Sequence, residues 1–452
     1  MQDRNDLTQG VIWKKLLLYF IPIAAGTLFQ QLYNAVDAII VSRFVGTAAL
    51  AAVGGSPATI TELLIGFFVA LSSGAAVVIA QYCGSGESSR ITLAVRTSML
   101  LCTVIGLVLT VAMFFLSGTV LQLLNTPADT IYDATVYMQI YFGGSIFLLG
   151  FNMGSGILRA VGDSRTPFIY MLISCVSNIV LDLLFVVVLH MEVAGVAWAT
   201  TIAQFISFLL VVRKLVKSRE YYRLDLSSFR IDPFILKRML SIGVPSGIQS
   251  AMYGISNIIL QIGVNSLGTV VVASWSMSGK IDGVFWAISN SFGTAVMNFI
   301  AQNYGARKLD RIRQCTKPGF VLLCCGTIIL SGTLILAARP LLHIFTKDPG
   351  VTDTTWFIIR CFAPSYILWI VIEIFSAILR GVGDAVRPTV ITAVGVCIFR
   401  IIWILTIFQW SHTLLVLCLG YPASWFITDT ALLIYYSKRS KAGFGLEEEK
   451  TS

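Results

Sequence analysis

The decapeptide LRAVGDSRTP at residues 158–167 occurs again, little changed, as LRGVGDAVRP at residues 379–388. Both copies fit the pattern L-R-x-V-G-D-x-x-x-P, and they lie 221 residues apart (379 minus 158). In each copy the glycine permits a sharp turn after a helix, and the proline suits the first turn of the next helix. We expect Arg159 and Asp163 to brace the turn, which indicates a structural hinge repeated in two related halves.

Three further matches keep the same order along the chain. They are Ala80-Gln81 with Ala301-Gln302, Gly46-Thr47 with Gly268-Thr269, and Pro22 with Pro245. Their offsets are 221, 222 and 223 residues (301 minus 80, 268 minus 46 and 245 minus 22). Four matches in one order with so little drift indicate an internal duplication.

The composition is that of a membrane protein. Of the 452 residues, 56% are hydrophobic and only 12% are charged, with a mean hydropathy of +0.82, whereas soluble domains carry roughly 25% charged residues. A membrane helix needs about 20 mostly apolar residues. Twelve blocks meet this length: 15–41, 48–80, 95–116, 134–158, 167–190, 193–213, 237–263, 270–300, 317–338, 356–379, 389–410 and 414–436. We therefore predict an all-α integral membrane protein with twelve transmembrane helices in two pseudo-symmetric six-helix bundles.

The basic residues predict the orientation. If the segments between blocks alternate sides, 26 of the 32 Lys and Arg residues fall on one side and four on the other. Cytoplasmic loops carry the excess of Lys and Arg, so both termini are predicted to be cytoplasmic, with the chain in a bacterial inner membrane. Since each half has six spans, both halves have the same orientation. A nucleic-acid-binding surface is disfavoured because the net charge of +9 is spread over every second loop.

The predicted domains follow from the repeat. Residues 1–215 form an N-terminal six-helix bundle, 216–236 a basic cytoplasmic linker, and 237–452 a C-terminal bundle. We expect no cleavable signal sequence at the N-terminus, because residues 1–15 are polar and the first apolar block is too long for a signal sequence.

The cysteine and histidine residues form no recognisable redox or metal-binding motif. The nine cysteines form no C-x-x-C pair and are expected to be small buried hydrophobic residues. The three histidines lack metal-ligand spacing, so no zinc site is predicted. H-E-x-x-H and G-x-S-x-G motifs are missing from the sequence, which disfavours a membrane-embedded enzyme and a bound cofactor.

Polar residues inside the spans predict the functional site, since an ionisable group within the membrane is costly. Gln30, Tyr33, Asn34 and Asp37 follow the spacing i, i+3, i+4, i+7 and share one face of the first span. Asn178 and Asp182 lie one helical turn apart in the fifth span. The sixth span carries Thr200 and Thr201.

If these three spans pack together, their oxygen-bearing groups suit a proton or a hard cation such as Na⁺. One of the two carboxyl groups is then expected to load and release a proton near neutral pH. An alternative for Asp37 is simple hydration at the outer interface, because Arg43 follows six residues later.

The second half does not repeat this site, because Trp403 aligns with Asp182 and Phe399 with Asn178. It carries Lys280, Asp282, Glu373 and Arg400 instead. Two cations and two anions suggest mutual pairing, in either a structural or a substrate-contacting role. The asymmetry predicts that the ion site lies in the first half and that the second half shapes the substrate cavity.

Pro22 lies within the first span, N-terminal to Asp37. A proline removes a backbone hydrogen bond and permits a kink. We therefore predict a hinge at Pro22 whose bend responds to protonation of Asp37 and Asp182.

These features together resemble the multidrug and toxic compound extrusion (MATE) family, in its bacterial DNA-damage-inducible-protein-F-like branch. The resemblance covers residues 10–440. It rests on the two parallel repeats, the doubled L-R-x-V-G-D turn, Pro22, Tyr33-Asn34 with Asp37, Asn178-x-x-x-Asp182, Lys280-Ile281-Asp282 and Gln302-Asn303-Tyr304-Gly305.

The resemblance implies a V-shaped pair of bundles that exports organic cations in exchange for H⁺ or Na⁺. It implies that Asp37, Asn178, Asp182 and Thr200 hold the coupling cation. Gln30, Tyr33, Asn34, Lys280, Asp282, Glu373 and Arg400 are then expected to contribute to the substrate cavity. A small-molecule porter that works as a monomer among membrane lipids is the expected arrangement.

Two other transporter classes have twelve spans or a related fold. A lipid-linked oligosaccharide flippase of the same wider superfamily would need several cavity cations, which Lys280 and Arg400 keep open. A major-facilitator-type porter would carry a G-x-x-x-D-R-x-G-R-like loop after the second span, where this chain reads CGSGESSR at residues 83–90.

Overall fold

The computed structural model describes residues 6–225, 230–346 and 348–446. Arg4, Lys347 and Lys450, which entered the charge count, lie outside the described residues, as do residues 226–229 of the predicted linker. Within the described ranges the chain is helical and contains no strand, which confirms the predicted all-α class.

Seventeen α-helices occur among the described residues. In chain order they are α1 Ile12–Ile40, α2 Thr47–Gly54, α3 Ser56–Ser85, α4 Ser88–Leu123, α5 Ile131–Gly143, α6 Ser145–Ala160, α7 Arg165–Asp182, α8 Glu192–Lys217, α9 Pro233–Ser266, α10 Thr269–Gly305, α11 Leu309–Phe345, α12 Pro349–Phe362, α13 Tyr366–Gly381, α14 Val386–Thr392, α15 Phe399–Leu405, α16 Ile407–Ser411 and α17 Leu414–Lys441.

These helices account for all twelve predicted blocks. Ten continuous helical segments of the described chain are long and apolar enough to cross a membrane. α5 and α6 form an eleventh span that is bent by 46°. The remaining block corresponds to α9, which has 34 residues and is interrupted by charged and polar side chains. The chain is therefore a multi-pass membrane protein.

Three π-helical segments interrupt the spans of the described chain, at Val41–Val45, Leu183–Val188 and Ala393–Ile398. Such wide turns are rare in α-helices and occur frequently at functional sites. The first follows Asp37 by one turn, the second begins directly after Asp182, and the third ends two residues before Arg400.

The repeated decapeptide forms the same turn in both halves. Gly162 and Gly383 have φ values of 91° and 92°, a left-handed conformation that glycine adopts without steric cost. Each glycine N–H donates to the carbonyl three residues earlier at 2.9 Å. Asp163 then caps α7, because its Oδ1 accepts the N–H of Thr166 at 3.0 Å. The prediction of a structural turn is confirmed.

The contacts divide the chain into two compact units whose boundaries differ from the predicted lobes. Of the described residues, unit 1 comprises 6, 21–225 and 230–247, and unit 2 comprises 7–20, 248–346 and 348–446. The boundaries fall inside α1 and α9, close to the repeated Pro22 and Pro245. The first turns of each helix thus pack with a different unit from the rest of that helix.

The repeated glutamines hold these first turns. In unit 1, Arg238 at the start of α9 donates to Gln81 Oε1 at 2.6 Å. In unit 2, the N–H of Leu7, just before α1, donates to Gln302 Oε1 at 3.1 Å. The internal repeat therefore has a second structural role besides the hinge turn, since each copy of the glutamine anchors the entry of a long helix.

Candidate functional site

Three helices of unit 1 bring the predicted ion-site residues together. Asp37 lies in α1, Asn178 and Asp182 lie in α7, and Thr200 lies in α8. α7 packs lengthwise against α8, which places Asn178 Nδ2 3.4 Å from Thr200 Oγ1, to which it donates. The side chain of Asp37 lies beside those of Asp182 and Asn178.

Most of the cluster is buried. Asp182 is fully buried, and Asn178 and Thr200 are 2% and 6% exposed, while Asp37 is partly buried. Of the two Asp37 oxygens, Oδ1 is buried, and the side chain as a whole is partly exposed. Both the shielded site and hydration of Asp37 therefore stay predictions.

The cluster has more acceptors than donors. One oxygen of Asp37, both oxygens of Asp182 and the amide oxygen of Asn178 are buried and have no hydrogen-bond partner among the described residues. A carboxylate cannot donate a hydrogen bond, so contact between two ionised carboxylates is repulsive. At an effective dielectric constant of about 20, two unit charges about 4 Å apart repel by about 4 kcal/mol. The arrangement is suited to a proton or a cation that the oxygens share.

Several aromatic and amide side chains that were not predicted from the sequence lie beside the cluster. Tyr137 and Tyr141 of α5 stack with ring centroids 5.8 Å apart. Tyr137 lies near both Asp37 and Asp182, and Gln204 of α8 lies near Tyr141. Helical spacing could have identified these residues. Gln204 is one turn beyond Thr200, and the two tyrosines are one turn apart.

The polar face of α1 joins the cluster only in part. Tyr33 lies near Gln30, Asp37 and Tyr141, whereas Asn34 is exposed. α1 continues without interruption through Pro22. The hinge at Pro22 stays a prediction.

Thr201, the neighbour of Thr200, has a different environment. Its hydroxyl donates to the carbonyl of Ile140 in α5 at 3.3 Å, and its methyl group packs on Gly144. Thr201 therefore joins α8 to the bend between α5 and α6, rather than contributing to the carboxylate cluster.

In unit 2 the predicted mutual pairing of Lys280, Asp282, Glu373 and Arg400 is wrong. The four residues all lie in described helices, and no ion pair joins any two of them. Lys280 is exposed. Asp282 accepts a hydrogen bond from the Tyr366 hydroxyl instead. The reason is geometric, because Asp282 and Arg400 contact separate aromatic and hydroxyl partners.

Glu373 and Arg400 have non-ionic contacts as well. Glu373 of α13 is 7% exposed and packs directly on Gly293 of α10, where its Oε1 occupies the position that a Cβ atom would take. Arg400 of α15 is 4% exposed, and its guanidinium lies 3.8 Å from the centroid of the Tyr421 ring.

α17 carries a buried acid that the sequence analysis missed. Asp429 is 5% exposed, and its Oδ1 has no hydrogen-bond partner among the described residues. It shares a face with Tyr421, Trp425 and Thr428, at spacings of i, i+4, i+7 and i+8. The same helical spacing that selected the face of α1 was sufficient to find it.

Metal binding of the usual kind has no support in the described part of the chain. No group of three or more His, Cys, Asp or Glu side chains there is arranged to hold a metal ion. The oxygen cluster around Asp182 is of a different kind, since it combines two carboxyl groups with an amide and a hydroxyl.

Long apolar helices in two related halves, with ionisable side chains buried inside them, define a multi-pass membrane transporter. A model of the MatE family matches residues 22–184 and 245–406, one segment in each half. The chain belongs to the MatE family.

The relatives of this chain carry transport-related names. It is 26% identical to the "Probable multidrug resistance protein YpnP" of Bacillus subtilis (strain 168), over 95% of this chain and 96% of that protein. It is 28% identical to the "Probable multidrug resistance protein YoeA" of the same organism, over 94% and 93% of the two chains.

The fold matches a solved structure across its whole length. The structure described as "Crystal structure of MATE in the bent conformation" aligns with a TM-score of 0.91 at 21% identity, covering 100% of this chain and 99% of that one.

Proposed function

We propose that the protein is a secondary active antiporter that exports organic cations and drugs across the bacterial inner membrane in exchange for H⁺ or Na⁺. The single observation that carries the proposal is the meeting of Asp37 and Asp182 in a buried cluster that has acceptors but too few donors. The names of the two Bacillus relatives support the drug substrates.

The coupling ion occupies the oxygen cluster of Asp37, Asn178, Asp182 and Thr200. A proton shared between the two carboxyl groups removes their repulsion. Na⁺ is the other candidate, since carboxylate, amide and hydroxyl oxygens are the ligands that hard cations prefer. Both termini lie on the cytoplasmic side, and the monomer is the working unit.

Exchange requires that substrate and coupling ion favour different states or compete for one site. In the outward-open state the cluster takes up its cation, which neutralises the carboxylates and weakens the hold on a cationic drug. In the cytoplasm-open state the cation leaves, and the ionised carboxylates beside Tyr33 and Tyr137 again attract an organic cation.

The experiment is transport of a fluorescent cation, rhodamine 6G, into proteoliposomes under an imposed pH gradient and, separately, an imposed Na⁺ gradient. We expect wild type to accumulate dye under at least one gradient, and Asp37→Asn and Asp182→Asn to lose that accumulation. Asp129→Asn, which removes an exposed acid, is the matched control and is expected to behave as wild type. Transport by both site variants at the wild-type rate would exclude the assignment.

A further inference from the structure

Exposed cations without an acidic partner lie where α7 begins and where α8 ends. They are Arg165, Arg213 and Lys217, and none of the three forms an ion pair with an acid of the described residues. Tyr170 of α7 lies near Arg213 and near the half-buried Lys214 of α8. Four cations and a phenol hydroxyl therefore gather at one end of this helix pair.

The acid at this end of the pair, Asp163, is engaged by the backbone. Its Oδ1 accepts the N–H groups of Arg165 at 3.2 Å and Thr166 at 3.0 Å. Its Oδ2 accepts the hydroxyl of Thr166 at 2.6 Å. Asp163 therefore caps α7, and the guanidinium and ammonium groups around it stay open to an anion from outside the chain.

The second half neutralises the corresponding end of its own helices. Arg213 aligns with Ile434 at the repeat offset of 221 residues (434 minus 213). The cations nearby, Arg387 and Arg439, lie 3.8 Å and 3.4 Å from the carboxylate of Asp384. The repeat thus offers an internal comparison in which one copy has its countercharge built in and the other lacks it.

The two helices bring their cations to a similar depth. α7 and α8 follow each other along the chain and pack lengthwise, and the hydroxyl of Ser174 in α7 donates to the carbonyl of Ala203 in α8 at 2.9 Å. Arg165 lies nine residues before Ser174, and Arg213 lies ten residues after Ala203. Because the helices are antiparallel and rise equally per residue, the two guanidinium groups belong to the same level of the bundle.

Below these cations, each helix shows an exposed apolar stripe. On α7 the stripe and its cation occupy successive turns at Arg165, Ile169, Ile173 and Val176. On α8 they occupy successive turns at Phe205, Leu209, Arg213 and Lys217. Asn178 of the candidate site is nine residues, or two and a half turns, from Ile169 and so lies on the opposite side of α7. The stripes therefore face away from the carboxylate cluster and, in a membrane, towards lipid.

We propose that this surface of unit 1 binds one anionic phospholipid. The lipid phosphate accepts from Arg165, Arg213 and Tyr170, and the acyl chains lie along the two apolar stripes. Guanidinium groups match the geometry of a phosphate, and basic pockets between membrane helices bind anionic headgroups. The apolar stripes directly below the cations favour a lipid over a phosphate in solution. In the proposed orientation the lipid belongs to the cytoplasmic leaflet.

Native mass spectrometry of the purified full-length protein measures the dissociation constant of the first bound lipid. The probes are dioleoylphosphatidylglycerol, which is anionic, and dioleoylphosphatidylcholine, which has the same chains and no net charge. We expect wild type to bind the anionic lipid at least about 10-fold more tightly, the range for a few basic side chains at a headgroup. The triple variant Arg165→Gln, Arg213→Gln, Lys217→Gln is expected to bind the two lipids within about 2-fold of each other.

A matched control removes three exposed cations from other helix ends, through Lys237→Gln, Lys438→Gln and Lys441→Gln. This control is expected to keep the preference for the anionic lipid. Lys438 is the counterpart of Lys217 at the repeat offset (438 minus 217), so the control also tests the difference between the two halves.

Glycerol phosphate distinguishes a lipid site from a site for phosphate alone. It carries the anionic group without chains, and we expect it to leave the first phosphatidylglycerol bound to wild type. This measurement and the wild-type comparison of the two lipids stand even where the triple variant does not fold. Equal affinity of wild type for both lipids, equal loss of preference in the control, or displacement by glycerol phosphate would overturn the inference. Because no dye transport enters these measurements, each of those results leaves the proposed antiport intact.

Discussion

The carboxyl groups of Asp37 in α1 and Asp182 in α7 lie beside each other. Asp182 is fully buried, and neither of its oxygens has a donor partner among the described residues. Two ionised carboxylates repel at this range. The protonation state of one group therefore depends on that of the other. Substitution or protonation of one acid is therefore expected to change the charge state of the other.

This relationship predicts that the effects of substitution are not additive. Asp37→Asn and Asp182→Asn are each expected to lower rhodamine 6G transport at least about 10-fold, and the double variant is expected to be no worse than either single variant. Residues that act as one unit show such coupling, whereas distant sites add. Transport rates in proteoliposomes at matched protein density measure it. Multiplication of the two single effects in the double variant would show that the acids act independently.

Thr200 and Thr201 offer a matched pair of hydroxyls. Thr200→Val removes the acceptor for Asn178 and one oxygen of the cluster, so we expect the half-saturating concentration of the coupling ion to rise about 5-fold, equivalent to about 1 kcal/mol for one hydrogen bond. Thr201→Val loses a bond to the backbone of Ile140 and is expected to change it less than about 2-fold. Equal effects of the two variants on ion dependence would contradict the placement of Thr200.

Pro22 and Pro245 test the hinge. They align in the repeat, but only the helix of Pro22 carries a site carboxylate. Pro22→Ala restores a backbone hydrogen bond and is expected to slow transport several-fold while the equilibrium affinity for dye stays within about 2-fold. Pro245→Ala is the control and is expected to leave the ion dependence of transport unchanged. An unaltered rate and coupling in Pro22→Ala would remove the hinge from the account.

Gly293 and Gly279 in α10 test the packing of Glu373. A Cβ atom at position 293 would overlap Glu373 Oε1, whereas at position 279 it would meet nothing within 4 Å. We expect Gly293→Ala to destabilise the protein by about 1–3 kcal/mol, the usual effect of overpacking. Gly279→Ala is expected to be neutral or to stabilise by about 0.5–1 kcal/mol, since alanine favours helix. Thermal unfolding of the purified variants measures these effects. A lower melting temperature for Gly279→Ala than for Gly293→Ala would contradict the expected packing of Glu373.

The helices and the repeat were accessible from sequence because they depend on local pattern. Long apolar blocks predicted all twelve helical regions, and the glycine and proline of the decapeptide predicted a turn that both halves form. Local sequence pattern did not predict the breaks inside the membrane spans. The bend between α5 and α6 and the π-helical segments depend on packing against neighbouring helices.

The two halves differ in how well the neighbours of their buried polar residues were predicted. In unit 1 the spacing of Asp37, Asn178 and Asp182 on their helices was sufficient, because the neighbouring spans bring those faces together. In unit 2 opposite charges suggested pairing, but sequence holds no information on distance. Asp282 contacts Tyr366, and Arg400 contacts Ser424 and Tyr421. These partners are uncharged, so the charge pattern of the sequence gave no reason to select them.

The most direct test of the shared cluster is equilibrium binding of rhodamine 6G to the purified protein as pH is lowered and, separately, as Na⁺ is raised. Protons or Na⁺ neutralise the carboxylates that attract the cationic dye, so the dissociation constant of wild type is predicted to rise with at least one of them. The Asp37→Asn, Asp182→Asn double variant is predicted to lose that dependence, while Asp129→Asn keeps it. A wild-type affinity that ignores both ions, or a double variant as sensitive as wild type, would contradict the account.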